Sequence, residues 1–267
     1  MHPNWLGLLS CALSIAVFAW VYRKAAGWSL RQKFAGCLLT GTLALPGASF
    51  AFHYTHLLPE VAWYYELRSM TGSELLVLPI GAAAAVAAAL LPRGARILPL
   101  LAALLLTLAP VIKPVLLPLG DDSLKERWQG DVCLQSTAST CGPSSAATIL
   151  RHLGGQATEA ELAAAAYSHG RGTEAWYLAR ALRARGVQAR FEFAPGFAPE
   201  GGLPALVGVR LGEAGHFIAV LGRQGDAYVI GDPLVGREVL SLEQLEKRYV
   251  FTGLHLRVNG PISGAGS

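Results

Sequence analysis

Charge is what this sequence has least of. Only 15% of its 267 residues are charged, 52% are hydrophobic, and the mean hydropathy is +0.39. One ordinary soluble domain is not that apolar, so the composition implies membrane spans. Cysteine is also scarce. Cys11 and Cys37 fall in apolar runs, and Cys133 and Cys141 fall beyond them, which excludes a disulfide framework. The sequence contains no Gly-x-x-x-x-Gly-Lys-Ser/Thr loop to cradle a nucleotide phosphate. His-Glu-x-x-His and Gly-x-Ser-x-Gly are absent too, removing the commonest zinc- and serine-hydrolase signals. No internal repeat and no basic stripe suited to nucleic acid is present. His53 and His56 lack a third metal ligand nearby. Neither a metal nor a cofactor is expected.

The charges that exist are unevenly placed. Residues 1–120 hold eight Lys/Arg against three acids, and residues 121–267 hold fourteen against fifteen. The first part reads as a membrane region of about four transmembrane helices, 5–22, 34–52, 75–91 and 97–112. Alanine makes the third weak, and prolines at 99, 110, 114 and 118 make the fourth irregular. The first run is no secretory signal, because Arg23 and Lys24 follow it rather than precede it. Arg23, Lys24, Arg31 and Lys33 lie between the first two spans, and Arg93 and Arg96 between the last two. The loop from His53 to Glu74 has only Arg68 against Glu60, Glu66 and Glu74. The positive-inside rule therefore places the remainder of the chain on the periplasmic or extracellular side of a multi-pass inner (plasma) membrane protein. Trp63, Tyr64 and Tyr65 in the middle loop suit a membrane interface.

Residues 121–258 read as one α+β domain, with helices first and an antiparallel sheet afterwards. Helices are expected from Cys141 to about Leu153, from Thr158 with Glu161 as a capping box, and over Thr173–Arg185. In the third helix Trp176 and Leu182 face inward, and Arg180 and Arg183 form a solvated face. Strands follow at Val187–Phe193, Ala205–Leu211, His216–Leu221, Ala227–Asp232 and, after a short helix Leu242–Tyr249, at Val250–Val258. A Gly/Ser-rich tail, 259–267, is expected to be loose.

Within this domain Cys141-Gly142-Pro143 starts a helix. A thiol there feels unpaired N–H groups and the helix dipole, which favour a thiolate. Alone, the tripeptide reads more readily as an ordinary turn, a helix and a buried thiol. Cys133 is near enough in sequence to cap Cys141 oxidatively. A hairpin turn centred on Gln224 sets His216 opposite Asp232, Ile218 opposite Ile230 and Val220 opposite Tyr228, with Cβ atoms roughly 5 Å apart. Asp226 lies at the turn, about 20 Å from His216. His152 is about 16 Å along the helix from Cys141. His169 sits in a Gly-rich loop, and His255 lies on the more polar face of the last strand.

Gln135 stands six residues before Cys141-Gly142-Pro143, and Gly215-His216-Phe217-Ile218-Ala219-Val220 and Gly231-Asp232-Pro233 follow. This set, over Asp131–Val258, resembles the bacteriocin-processing, double-glycine leader peptidases, family thirty-nine of the cysteine peptidases, which are papain-like. The resemblance implies Cys141 as nucleophile, His216 as base, Asp232 as its orienter and Gln135 as oxyanion donor. It implies a peptide or protein substrate, cut after small residues such as Gly-Gly or Gly-Ala. The best-known members are fused to a six-span exporter with an ATPase, with the peptidase cytoplasmic. This chain has about four spans and an outward domain, so a separate transporter joins the bilayer and the substrate among expected partners. A papain-like amidase or acyltransferase would use the same residues. A non-catalytic binding module on a membrane scaffold would have no need of all four.

Overall fold

A computed structural model describes residues 3–55 and 57–261. His56, half of the histidine pair weighed above as a metal site, and residues 262–267 of the expected tail lie outside the described residues. The chain forms two compact units, one of residues 3–60 and 71–116, the other of residues 61–70 and 117–261.

The first unit is helical. It contains α1 (Trp5–Ala25), α2 (Leu30–Tyr54), α4 (Leu78–Leu90, led in by a 3₁₀ turn at Ser73–Val77), α5 (Ile97–Leu108) and the short α6 (Lys113–Leu116); α3 (Ala62–Ser69) belongs to the other unit. Three stretches, Trp5–Ala25, Leu30–Tyr54 and Ser73–Leu90, are long and apolar enough to cross a membrane. Small residues let their backbones touch, as membrane helix contacts require. A Cβ on Gly81 would lie 1.9 Å from the Ser14 carbonyl oxygen, and one on Gly47 2.2 Å from that of Leu76. Ser14 Oγ accepts the Gly81 N–H (3.0 Å) and donates to the Val77 carbonyl (3.2 Å). The expected fourth span is a helix of 12 residues. It runs antiparallel to α1: Arg96 at its start donates to Tyr22 Oη (3.1 Å), and near its end the Thr107 carbonyl accepts from Cys11 Sγ (3.1 Å).

The second unit is α+β in the expected order. A small ribbon, β1 (Arg127–Gln129) and β2 (Val132–Leu134), leads into α7 (Cys141–His152), α8 (Glu159–Ala165) and α9 (Ala175–Arg183). Then come β3 (Val187–Phe193), β4 (Ala205–Leu211), β5 (Ala214–Gln224), β6 (Ala227–Asp232), β7 (Gly236–Ser241), α10 (Leu242–Arg248) and β8 (Val250–Pro261). The six strands β3 to β8 form one antiparallel sheet, ordered β3-β8-β4-β5-β6-β7. Thr158 and Glu161 make the expected capping box of α8. Helix α7 is buried from Cys141 through Leu150 and is the centre of the unit. The last strand continues past Val258, where Asn259 and Pro261 pair with β3.

The segment expected at a membrane interface instead completes this unit. Helix α3 (Ala62–Ser69) buries Tyr64 and Tyr65, while Trp63 is 65% exposed. Tyr65 meets Trp176, Phe191 and Phe193 edge-on, with centroids 5.0–5.3 Å away. Glu66 accepts the N–H of Phe191 on edge strand β3 (2.7 Å). Such an edge group is otherwise open to mispairing. Arg180 and Arg183 are not a solvated face. Arg180 donates to the carbonyls that end α3, at Arg68 and Met70 (3.0 and 2.8 Å), and Arg183 pairs with Glu66 (2.5 Å). Their partners lie more than a hundred residues away, so nothing local marks them. Truncating Tyr65 empties an aromatic pocket, at a cost of about 3–5 kcal/mol. Thermal unfolding of the detergent-solubilised chain should show Tyr65→Ala strongly destabilised and Trp63→Ala unchanged.

Candidate active site

The candidate residues gather around the start of α7, which packs on Phe217 of β5. Cys141 is the first residue of that helix and is 7% exposed. Pro143 is the third, where a missing N–H removes only a donor that the helix leaves unpaired. Gly142 is small by necessity, because a Cβ there would lie 2.7 Å from Leu178 Cδ1 and 3.3 Å from the Phe217 ring. One turn on, Ser145 Oγ donates to the Phe217 carbonyl (3.0 Å). That bond straps β5, and with it His216, onto the helix that carries Cys141. On the next strand a Cβ on Gly231 would lie 2.9 Å from Thr148, so β6 also reaches α7 closely just before Asp232.

The hairpin delivers the expected pair by a different register. Its turn is Gly225-Asp226, with Gln224 opposite Ala227, and Val220 pairs with Ile230 rather than Tyr228. Leu221 is an extra residue, a β-bulge between Val220 and Gly222. Without it the turn's register would put His216 and Asp232 on opposite faces. With it they share one, as diagonal rather than directly opposed neighbours. His216 Nε2 and Asp232 Oδ1 are 2.9 Å apart, and the residues are 6% and 1% exposed. Asp226 stays at the turn.

Asp232 also accepts the Leu234 N–H on Oδ1 (2.8 Å) and the Tyr249 hydroxyl on Oδ2 (2.7 Å). Burial would raise its pKa, but these donors and His216 outweigh burial and hold the carboxyl below its usual range. For His216, burial opposes the charged ring. The hydrogen bonds to Asp232 and Cys141 and the charges on both prevail, raising it from 6.5 to about 9. With Nε2 turned to Asp232, Nδ1 is the nitrogen left for the thiol.

Gln135 lies beside this group, 9% exposed. Its N–H donates to the Pro233 carbonyl (2.9 Å), tying it to the turn after Asp232. Its side-chain Nε2 donates one hydrogen to the Thr137 carbonyl (2.7 Å), leaving the second free to donate. Fully buried Glu159 on α8 takes the Ser136 N–H (2.8 Å) and its hydroxyl, fixing the loop between Gln135 and Cys141. Nothing in the sequence singled out Ser145, Glu159 or Tyr249. Each acts on a residue distant in the chain or through a backbone group.

The other candidates separate cleanly. Cys133 is fully buried, and burial together with the Glu159 charge pushes its thiol up to about 12, so it is a poor redox partner for Cys141. His255 is buried, not on a polar face: Nδ1 faces the Gly253 carbonyl (3.0 Å) and Nε2 accepts the Ala198 N–H (3.3 Å). Burial lowers its pKa, as a neutral structural imidazole requires. His152 is exposed at the far end of α7. Among the described residues no group of three or more His, Cys, Asp or Glu could hold a metal.

A thiol at a helix start near a buried imidazole–carboxylate pair on an antiparallel sheet is an arrangement suited to nucleophilic thiol chemistry. Residues 129–260 match the model of the Peptidase C39 family, and the chain belongs to that family. An uncharacterized protein of Methanothermobacter thermautotrophicus is 31% identical over 135 residues, 49% of this chain and 89% of that protein. Another, of Methanothermobacter marburgensis, is 34% identical over 122 residues, 45% and 81% of the two chains. Two of the similar solved structures are peptidase domains from transporters. The peptidase domain of Streptococcus ComA, a bi-functional ABC transporter in quorum sensing, is 24% identical, covering 51% of this chain and 98% of that one, TM-score 0.42. A double glycine motif protease from an AMS/PCAT transporter, bound to its leader peptide, is 21% identical, covering 51% and 92%, TM-score 0.41.

The His216 shift has a measurable sign. A folded pKa raised from 6.5 to about 9 contributes stability that is full below 6.5 and lost as pH rises through 9. The depressed Asp232 acts oppositely, its contribution fading as pH falls through its own lowered value. His216→Ala should therefore cost most stability near pH 5–6.5 and progressively less towards pH 10, as read by denaturant unfolding across that range.

Proposed function

We propose that the chain is a membrane-anchored cysteine peptidase in which Cys141, His216, Asp232 and Gln135 carry the chemistry. The observation behind it is the buried His216–Asp232 pair beside Cys141, the first residue of α7, whose thiol helps to raise the His216 pKa. The Cys141 proton passes to His216 Nδ1, and the imidazolium that forms is held by the Asp232 carboxylate. The thiolate attacks the scissile carbonyl, forming a C–S bond. The oxyanion takes the free Gln135 Nε2 hydrogen and the Cys141 N–H. His216 then returns its proton to the leaving amine as the C–N bond breaks, and water hydrolyses the thioester. The motif resemblance adds the substrate class, a polypeptide cut after two small residues, delivered at the membrane by a separate transporter or secretion route. Open space around Gly215, next to His216, suits such a close approach of substrate backbone.

Four crossings and an outward peptidase fit the chain's connectivity. Residues 61–70 fold with 117–261, so the intervening stretch 71–116 leaves and returns on one side. An even number of crossings does that, which supports α5 and the residues after it as the partner of Ser73–Leu90. The six Lys/Arg at the α1–α2 and α4–α5 connections then mark the cytoplasmic side. Alkaline phosphatase fused after Ser267 should be active and a green fluorescent protein fusion dark; the reverse result refutes the orientation.

On a peptide with Gly-Gly before the cleaved bond, Cys141→Ala and His216→Ala should be inactive, since nucleophile and base act as a unit. Asp232→Asn should be impaired and Asp226→Asn nearly normal. Gln135→Ala should lower kcat by roughly 10²–10³-fold, the usual effect of one lost oxyanion donor. An active Cys141→Ala removes the peptidase assignment. A library profile favouring bulky residues before the cut removes the substrate class alone.

A further inference from the structure

The two oxygens of Asp232 are held by different means. Oδ1 is shared by the His216 ring and the Leu234 N–H, both within the β5–β6 ribbon and its following turn. Oδ2 is held from elsewhere, by the hydroxyl of Tyr249, which follows α10 and precedes β8. Tyr249 is 2% exposed and belongs to the core cluster that also holds Val209, Ile218 and Ile230. Burial, with Asp232 alongside, pushes the Tyr249 hydroxyl well up, so it remains a proton donor across the working pH range. A hydroxyl that never ionises, aimed at the second oxygen of the carboxylate, can do two things for the site: fix the carboxylate's rotation and favour its charged form.

We propose that Tyr249 is a positioning residue of the thiol site, turning the Asp232 carboxylate so that Oδ1 faces His216 Nε2 and keeping it ionised while the imidazolium forms. This rests on the peptidase reading of Cys141 and His216. The ionisable groups facing the pair are His216 on β5, Cys141 on α7, Arg248 on α10 and Glu238 on β7. Arg248 lies 5.3 Å from the Tyr249 ring centroid and pairs with Glu238 (2.5 Å). That ion pair is made without the Tyr249 hydroxyl, so it does not supply the effect expected below.

Removing the hydroxyl takes a donor from a buried carboxylate. Asp232 then protonates more readily and holds the imidazolium less well. The thiolate–imidazolium pair should survive over a narrower pH range, its acid edge moving up and its basic edge, set by His216, moving down. Iodoacetamide alkylation of Cys141, followed by peptide mass spectrometry on the full detergent-solubilised chain, reads this without a known substrate. Tyr249→Phe should move the acid limb of the alkylation profile up by about one pH unit, a rate loss on the order of tenfold at fixed acidic pH. In the Asp232→Asn background the same change should add almost nothing, because the residue acts through that carboxylate. The Asp232→Asn/Tyr249→Phe chain leaves no charged oxygen unpaired, so it decides the matter even where Tyr249→Phe alone folds poorly. An unshifted profile in Tyr249→Phe, or equal losses with and without Asp232, overturns the positioning role and leaves Tyr249 a core residue. If His216→Ala alkylates like the native chain, the peptidase reading itself fails, and the inference with it.

Discussion

An imidazole on one strand and a carboxylate on the next can meet only if register and parity agree, and here one extra residue makes them agree. The tight Gly225-Asp226 turn would leave His216 and Asp232 on opposite faces of the β5–β6 ribbon; the bulge at Leu221 brings them to one. The remaining site geometry depends on α7 packing against the residues that alternate with this pair, Phe217 and Gly231. Ser145 bonded to the Phe217 carbonyl, and the absent side chains of Gly142 and Gly231, hold the helix close enough for the thiol at its start to reach the ring.

Burial sets the second constraint. Taking His216 and Asp232 out of water disfavours charge on either, and the site answers with donors and partners rather than with solvent. Asp232 collects three donors, so its charge is kept and the imidazolium is favoured in turn. Cys133 shows the contrasting case. It is also buried, but it faces the charge of Glu159 and no imidazole, and its thiol is held protonated. Two cysteines eight positions apart thus have opposite chemical prospects, decided by surroundings alone.

Much of this was legible in the sequence because its signals are local. Val187–Phe193 and Ala205–Leu211 are bounded by glycine and proline and appear with the expected limits. The Thr158/Glu161 box and the Gly142-Pro143 helix start are equally self-contained. Strand β7 was not legible, because Arg237 and Glu238 break its apolar alternation at the sheet's edge. A bulge leaves no mark in composition, so the site pair was identified with the wrong register. The role of α3 was hidden most completely. Trp63, Tyr64 and Tyr65 look interfacial until Trp176 and Phe191 are brought to the two tyrosines by the fold.

The central claim is that His216 activates the Cys141 thiol. The most direct measurement is the alkylation rate of each cysteine at pH 6.5, where an unassisted thiol is almost wholly protonated. The account predicts rapid labelling of Cys141, none of Cys133, and loss of the Cys141 rate when His216 is replaced by alanine. Equal, slow labelling of Cys141 with and without the imidazole would contradict it.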